Sequence, residues 1–153
     1  MPTMNCFPAI RSLNEADLDA VLAIEQASFP APWSREHFQH EITTAHSFPF
    51  VAECNGMIVG YVCLMSLFEE AQILDIAVAP EQRGRGIARL LMDHAIKVAQ
   101  DKGAEVLALE VRSSNISAIT LYERCGFVRA GVRGKYYEGV DDAVLMEMNL
   151  KIL

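Results

Sequence analysis

A turn rich in arginine and glycine is the first stretch of the sequence that could do chemistry. It reads APEQRGRGIARLL over residues 79–91, between an apolar segment that ends near Val78 and a helical pattern. Free N–H groups at a helix N-terminus favour phosphate, glycines let an anion approach the backbone closely, and arginines add positive charge. The stretch therefore predicts an anion-binding loop, although a solvated turn that caps a helix explains the glycines equally well.

Two common nucleotide-binding motifs do not fit this loop. A P-loop requires G-K-[ST] after four spacer residues, and the sequence contains no such pattern. A dinucleotide-binding fingerprint requires glycine at the position of Arg89. A nucleoside-triphosphate site and a nicotinamide site are therefore both rejected.

The loop matches the signature R/Q-x-x-G-x-G/A through Arg83, Gly86 and Ala88. It resembles the cofactor loop of the GCN5-related N-acetyltransferase (GNAT) family, whose backbone amides bind the pyrophosphate of acetyl-CoA. The resemblance implies acetyl-CoA as cosubstrate. It assigns cofactor contacts to the whole loop, namely Arg83, Gly84, Arg85, Gly86, Ile87, Ala88 and Arg89.

A second run, LEVRSSNISAITLYERCGF over residues 109–127, is similar to RimI-type ribosomal-protein alanine N-acetyltransferases within that family. The resemblance implies that Glu110 is the general base, that Tyr122 is the general acid and that Asn115 contacts the cofactor. It also implies that one strand end lines the thioester and presents a backbone amide to the oxyanion. The residues of this strand end are Ile76, Ala77 and Val78.

Aminolysis of a thioester needs a deprotonated amine, a stabilised oxyanion and a protonated leaving thiolate. An α-amine with a pKa near ~8 and a lysine near ~10.4 are both protonated at neutral pH, so a base is required. Glu110 can accept the proton directly or through water, and the Tyr122 hydroxyl can donate to the thiolate. Each residue also has a plain structural alternative: an ion-paired carboxylate at a strand end for Glu110, a packing ring for Tyr122 and a helix N-cap for Asn115.

Two aromatic segments, FPAPWS and KYY, also resemble the RimI-type subfamily. The resemblance implies that the segment from Phe29 to Trp33 and the pair Tyr136 and Tyr137 are two walls that hold a peptide N-terminus beside Glu110. As plain sequence, the same aromatics are typical of core or hairpin packing. Asp141 stands where glutamate is commoner in the subfamily, which leaves the peptide selectivity open.

The elements that must position these residues follow one another in the order β-α-α-β-β-β-α-β-α-β-β. Asn14 and Ser34 are predicted helix N-caps, Asn55-Gly56 predicts a tight hairpin turn, and Gly103 suits the end of the helix after the loop. The sequence predicts one mixed α/β domain over residues 1–153. The resemblance implies the GNAT fold, a central mixed, mostly antiparallel sheet of about seven strands flanked by about four helices.

Composition limits the remaining function classes. A net charge of −7 argues against direct nucleic-acid binding and favours encounter with amines or basic peptides. No apolar run reaches the ~18 residues of a membrane span and no signal-peptide pattern opens the chain, so a cytoplasmic location without a membrane partner is expected.

The four cysteines form no C-x-x-C pair and are expected to be buried reduced thiols. His37 and His40 lack a recognisable further ligand, so no metal is expected.

The sequence thus predicts an acetyl-CoA-dependent N-acetyltransferase that transfers acetyl directly to a primary amine in a ternary complex, without a covalent intermediate. The leading acceptor is a protein N-terminal amine, such as the alanine of a basic ribosomal protein. A polyamine, an aminoglycoside or a lysine side chain is the alternative acceptor. A non-catalytic acyl-CoA-binding module is the alternative of another class, and the presence of both Glu110 and Tyr122 argues against it.

Overall fold

A computed structural model describes residues 6–137, 139 and 141–151 of the chain. Seven strands form one mixed sheet, and helices pack on both of its faces. The strands are β1 Ala9–Ser12, β2 Ser47–Cys54, β3 Met57–Leu67, β4 Glu70–Val78, β5 Val106–Arg112, β6 Val128–Tyr137 and β7 Asp141–Asn149. The α-helices are α1 Leu18–Ser28, α2 Arg35–Thr43, α3 Ile87–Asp101 and α4 Ile116–Cys125. The sheet order is β1-β2-β3-β4-β5-β7-β6.

The predicted element order is confirmed, because the local signals act where they were expected. Asn14 and Asp17 form a reciprocal capping box ahead of α1, and the Ser34 hydroxyl accepts from the backbone amide of the third residue of α2 at 3.2 Å. Asn55 and Gly56 have φ angles of 52° and 79°, as a two-residue hairpin turn between β2 and β3 requires. These contacts join residues that lie close in sequence, so the sequence alone predicts them.

Two hydrophobic clusters cover the two faces of the sheet. Helices α3 and α4 contribute Leu91, Met92 and Ile119 to one cluster, and helices α1 and α2 contribute Leu18 and Phe38 to the other. Strand β4 supplies side chains to both clusters, since successive residues of a strand point to opposite faces. Among the described helices, even the longest, α3 with 15 residues, lacks the length and hydropathy to cross a bilayer.

The sheet opens along one strand pair. Strands β4 and β5 are parallel, and their ladder joins only residues 70–72 to residues 106–108. Beyond this point β4 continues beside β3 as far as Val78, whereas β5 continues beside β7 as far as Arg112. A register shift opposite Cys63 and Leu64 leaves Leu74 as an extra residue in β4, and such a bulge bends a strand. The two strands therefore separate and leave a gap in the middle of the sheet.

The expectation of four reduced cysteines is wrong for one pair. Cys6 and Cys54 form a disulfide, with Cα atoms 5.9 Å apart. Strand β1 lies antiparallel to β2, which brings the residues before β1 to the end of β2. The sequence separation of 48 between the two cysteines hides this pairing from spacing arguments. Cys63 is a free buried thiol, and Cys125 is free and half-buried.

Candidate active site

The end of β4 presents a backbone amide to the gap between β4 and β5. The Ala79 amide donates to the Val59 carbonyl of β3 at 2.8 Å. Because bonding directions alternate along an antiparallel ladder, the backbone of Val78 points away from β3 and toward the gap. Consistent with this orientation, the Val78 carbonyl accepts from Arg83 Nε at 3.1 Å rather than from β3. An N–H group directed into such a gap is a donor suited to an oxyanion.

The loop that follows has the backbone geometry of an anion site. Gly84 and Gly86 have φ angles of 79° and 81°, and apart from the adjoining residues no heavy atom lies within 4 Å of the place that a Cβ would take on either residue. Helix α3 begins at Ile87, so the amides of residues 87–89 have no partner within the helix. The open space above the glycines, together with these amides, fits a phosphate group.

Two arginine side chains of the loop have partners within the protein. Besides the Val78 carbonyl, Arg83 donates through Nη2 to Ser28 Oγ at 3.0 Å, which fastens the loop to the end of α1. Arg89 donates through Nε to Asp93 Oδ1 at 3.0 Å, one turn further along α3. The Arg83 and Arg89 side chains are therefore engaged within the protein, whereas the amides of residues 87–89 lack partners within the helix.

Helix α4 brings Asn115 and Tyr122 to the α3 side of the sheet. Asn115 is the N-cap of α4, and its Oδ1 accepts from the Ala118 amide at 3.3 Å. Tyr122 is buried, and its ring meets the Phe127 ring edge-on with centroids 6.1 Å apart. Burial raises the pKa of Tyr122, so the phenol keeps its proton at neutral pH. Asn115 thus acts as a helix N-cap and Tyr122 as a packing ring, the two structural alternatives that the sequence offered. Tyr122 also retains a proton that it can donate.

A groove of about 340 Å³ lies on the side of the sheet that α1 and α2 cover. Four of the predicted acceptor-site residues meet there, from the segment before α2, from β5 and from the end of β6. The lining consists of Trp33, His37, Gln72, Ile73, Leu74, Glu110, Tyr136 and Tyr137. Phe29 is not part of it, because its side chain packs, partly buried, against the α1 and α2 cluster. The predicted aromatic wall at this side is therefore Trp33 rather than the whole segment from Phe29.

Glu110 lies on the groove wall in an ion pair. Its side chain is 18% exposed, and Arg133 donates through Nη2 to Glu110 Oε1 at 3.0 Å. The Arg133 guanidinium also lies over the Tyr136 ring, 4.5 Å from its centroid. Glu110 is therefore an ion-paired carboxylate, as its structural alternative predicts. An ammonium group in the groove can compete with the guanidinium for this carboxylate.

The tyrosine pair is held by a second arginine. The rings of Tyr136 and Tyr137 are 5.1 Å apart at an angle of 78°. Arg112 lies over the Tyr137 ring at 4.5 Å and forms an ion pair with Asp141 at 3.3 Å. Asp141, the first residue of β7, thus supports this wall of the groove through Arg112.

The sequence profile of the acetyltransferase (GNAT) family matches residues 18–127. The chain belongs to the GNAT acetyltransferase family. It is 34% identical over 146 residues to the ribosomal protein bS18 alanine N-acetyltransferase of Escherichia coli (strain K12), covering 94% of this chain and 98% of that protein. The crystal structure of the E. coli ribosomal-protein-S18-alanine N-acetyltransferase matches with a TM-score of 0.87 at 34% identity over 94% of both chains. A crystal structure of nourseothricin acetyltransferase matches with a TM-score of 0.78 at 26% identity, over 94% of this chain and 98% of that one.

As a GNAT acetyltransferase, the protein is an enzyme that transfers acetyl groups, and the family uses acetyl-CoA as cosubstrate. The predicted GNAT fold is confirmed by the seven-stranded, mostly antiparallel sheet with its four α-helices in the described chain. The gap in the sheet separates the loop of residues 83–89 and α4 on one side from the groove on the other. A GNAT enzyme with this arrangement can bring its two substrates together from opposite faces.

Sequence reasoning missed four of the eight residues that line the groove of this GNAT enzyme: His37, and Gln72, Ile73 and Leu74 of β4. His37 stacks on Trp33 with ring centroids 3.7 Å apart, although the sequence suggested only a metal-ligand pair with His40. The described residues contain no group of three or more His, Cys, Asp or Glu side chains placed to hold a metal. Trp33 precedes the Ser34 N-cap of α2, so the path of the chain at the start of the helix, and not a helical spacing, brings the two rings together. Gln72 carried no signal, because its place in the groove depends on where β4 and β5 separate.

Proposed function

We propose that this protein acetylates the N-terminal α-amine of a protein chain and that its leading acceptor is the alanine of ribosomal protein bS18. The observation that carries the proposal is the groove, which surrounds Glu110 with Trp33, Tyr136 and Tyr137. The relatives named for this acceptor, at 34% identity over nearly the whole chain, support the choice. The proposal treats residues 1–153 as a single N-acetyltransferase domain and places the reaction in the cytoplasm, where ribosomal proteins are made.

In this proposal acetyl-CoA, when bound, supplies an acetyl thioester. The backbone amides from Gly84 to Arg89 hold the pyrophosphate, and Asn115 contacts the cofactor at the start of α4. The thioester lies against the last residues of β4, with Ile76 and Ala77 as its wall and the Val78 amide donating to the oxyanion. Arg83 contributes by fixing the loop to Val78 and Ser28, as its hydrogen bonds suggest.

Two side chains move protons in the proposed reaction. Glu110 accepts a proton from the acceptor ammonium, directly or through water, once that ammonium displaces the Arg133 guanidinium. Tyr122 donates its phenolic proton to the departing thiolate, for which its retained proton suits it. The acetyl group passes from sulfur to nitrogen in a single ternary complex, so no acyl-enzyme forms.

An α-amine is the better acceptor for such a base. Its pKa lies about two units below that of lysine, which is ~2.7 kcal/mol less work of deprotonation at neutral pH. A desolvated pocket can lower a lysine pKa by more than this, so the aromatic walls must supply the remaining selection. Trp33 on one side and the tyrosine pair on the other admit an extended chain end.

The test measures thiol release from acetyl-CoA with three acceptors. These are a peptide with a free N-terminal alanine, the same peptide with a blocked N-terminus and an internal lysine, and spermidine. We expect the free peptide to have the highest kcat/KM. Faster turnover of the blocked peptide or of spermidine would refute the proposed acceptor and leave acetyl transfer intact.

A small-molecule amine is the second candidate acceptor. The likeness to nourseothricin acetyltransferase at 26% identity supports it, since the two chains share the fold over almost their full lengths. Adding nourseothricin to the acceptor panel tests this candidate directly. A kcat/KM for nourseothricin above that for the free peptide would favour the second candidate over the first.

A further inference from the structure

A buried carboxyl group lies under the acceptor groove and has no part in the proposed proton transfers. Glu25, on α1, is 2% exposed. Its Oε2 accepts from the backbone amide of Trp33 at 3.0 Å, and its Oε1 accepts from the hydroxyl of Tyr61 on β3. Burying a carboxyl group is costly unless hydrogen bonds replace its hydration, so its presence in the core needs an explanation.

The surroundings of Glu25 contain further acidic groups and no cationic partner. Asp75 on β4 lies beside Cys63 on β3, and its hydrogen bond to Glu25 together with burial raises the pKa of Asp75. Asp75 therefore retains its proton at neutral pH beside the Glu25 carboxyl group. Within the described part of the chain, no lysine, arginine or histidine forms an ion pair with Glu25. Hydrogen bonds alone therefore replace the hydration of the Glu25 carboxyl group.

The bonds to Glu25 tie the groove wall to the sheet. Trp33 lies eight residues beyond Glu25, after a segment that contains two prolines and no regular structure. The Trp33 ring contacts the Phe38 ring at 5.2 Å between centroids, and the Phe38 ring contacts the Tyr61 ring edge-on at 5.7 Å. One carboxyl group thus connects α1, the segment before α2 and strand β3 at a single point.

The geometry points to Glu25 as a positioning residue for the acceptor: its carboxyl group holds the Trp33 amide and so sets the width of the groove opposite the tyrosine pair. This inference rests on the proposed acceptor site. It assigns Glu25 no contact with the acceptor and no proton transfer. The hydroxyl of Tyr61 on β3 keeps the carboxyl group in place from the sheet.

Trp33 is the only tryptophan of the chain, so its fluorescence reports on this segment directly. Glu25→Met retains a side chain of similar length without an oxygen, whereas Glu25→Gln retains an oxygen that can accept from the Trp33 amide. Val21→Ala removes buried volume from the same helix and the same hydrophobic cluster, so it serves as the control for a general loss of stability. For each variant, KM is measured with the best acceptor of the panel above and with acetyl-CoA. The quenching of Trp33 fluorescence by acrylamide is measured separately.

We expect Glu25→Met to raise the acceptor KM about tenfold, as loss of a buried hydrogen bond to a charged group predicts. The KM for acetyl-CoA should change less than about twofold, since the cofactor loop lies on the other face. Acrylamide should quench Trp33 more strongly in this variant, and Glu25→Gln should restore both the acceptor KM and the quenching. Unchanged acceptor KM and quenching in Glu25→Met, or the same selective KM increase in Val21→Ala, would overturn the inference.

A measurement on the unmodified protein covers the case in which Glu25→Met does not fold. Amide hydrogen exchange followed by NMR should show the Trp33 amide protected about a hundredfold or more relative to an unstructured peptide. An unprotected Trp33 amide would refute the inference without any variant. Neither hydrogen exchange nor quenching requires an acceptor. Both measurements therefore still test whether Glu25 holds the Trp33 segment if the proposed peptide acceptor is refuted.

Discussion

Glu110 and Tyr122 lie in contrasting environments. Glu110 is on the groove wall, where its Oε1 accepts a hydrogen bond from Arg133. Tyr122 is buried beside Phe127 on the opposite side of the sheet. Partial exposure lets Glu110 exchange its proton with substrate and solvent, whereas burial keeps Tyr122 protonated and makes it a weaker acid, which donates only as negative charge develops on the leaving sulfur. The two environments therefore suit the two proposed roles.

The proposed roles predict a loss of rate without a loss of cofactor binding. Glu110→Gln and Tyr122→Phe should each lower kcat by ~10² to 10⁴, the usual contribution of a positioned proton-transfer group. Calorimetry should find the acetyl-CoA affinity unchanged in both variants. Glu123→Gln, which removes a carboxylate from the exposed face of α4, is the matched control and should keep wild-type activity. Wild-type kcat in either active-site variant at neutral pH would contradict the assignment.

Asp75 predicts a specific pH dependence of stability. Burial and the bond to Glu25 raise the pKa of Asp75 to about 10, far above its value of 3.8 in an unfolded chain. A raised pKa means that the folded protein retains a proton that the unfolded chain releases, so this contribution to stability declines as pH rises from about 4 toward 10. We expect Asp75→Asn to be more stable than wild type above neutral pH, by a margin in Tm that grows between pH 6 and pH 9.

The control for this measurement is Asp101→Asn. Asp101 is exposed on the last turn of α3, where it pairs with Lys97 at 3.7 Å. Its substitution should shift Tm by an amount that does not grow with pH. A constant Tm difference between Asp75→Asn and wild type across the same range would show that Asp75 is ionised in the folded protein.

Among the elements, the loop and the first turn of α3 determine cofactor binding in the proposal. Gly84 and Gly86 both lie in the left-handed region, where a side chain costs energy through the backbone and not through crowding. Replacing either residue therefore moves the loop amides without filling the site. This separates the contribution of loop geometry from that of the arginine side chains.

Gly86→Val should weaken acetyl-CoA binding at least about tenfold, because a β-branched residue strongly resists a φ of 81°. Arg85→Ala should weaken it less, since backbone amides supply most of the proposed contacts. Gly103→Val is the matched control: Gly103 has a φ of 89° with equally open surroundings, but it follows the C-terminus of α3. It should lower Tm and leave the affinity unchanged. Unchanged affinity in Gly86→Val, measured by calorimetry, would refute the placement of the pyrophosphate.

At the scale of the whole molecule, the net charge of −7 acts on the encounter with acceptors. A negative protein attracts cationic peptides over distances that salt screens, with a Debye length of about 10 Å at 0.1 M ionic strength. The value of kcat/KM for an N-terminal alanine peptide with a basic tail should fall roughly threefold or more between 50 and 500 mM salt. The same peptide with an uncharged tail should show little change. Equal salt dependence of the two peptides would indicate that the charge of the protein does not steer the acceptor.

The sequence by itself determined the features that depend on neighbouring residues. The capping box of Asn14 and Asp17, the turn at Asn55 and Gly56 and the glycine loop ahead of α3 each rest on contacts within a few positions along the chain. The order of elements followed from such signals. The resemblance of two short runs to one family then pointed to the reaction, and the family is confirmed.

Only the tertiary structure decided how distant segments meet. The gap beside Val78 exists because β4 and β5 pair over three residues and then follow different neighbours, and no local pattern encodes that change. The bond between Arg133 and Glu110 spans 23 residues, and the bond between Tyr61 and Glu25 spans 36. Such contacts depend on the register of the sheet and the placement of the helices. Both are fixed together by the packing of the whole core. A single sequence shows the residue types for these contacts but not which of them will touch.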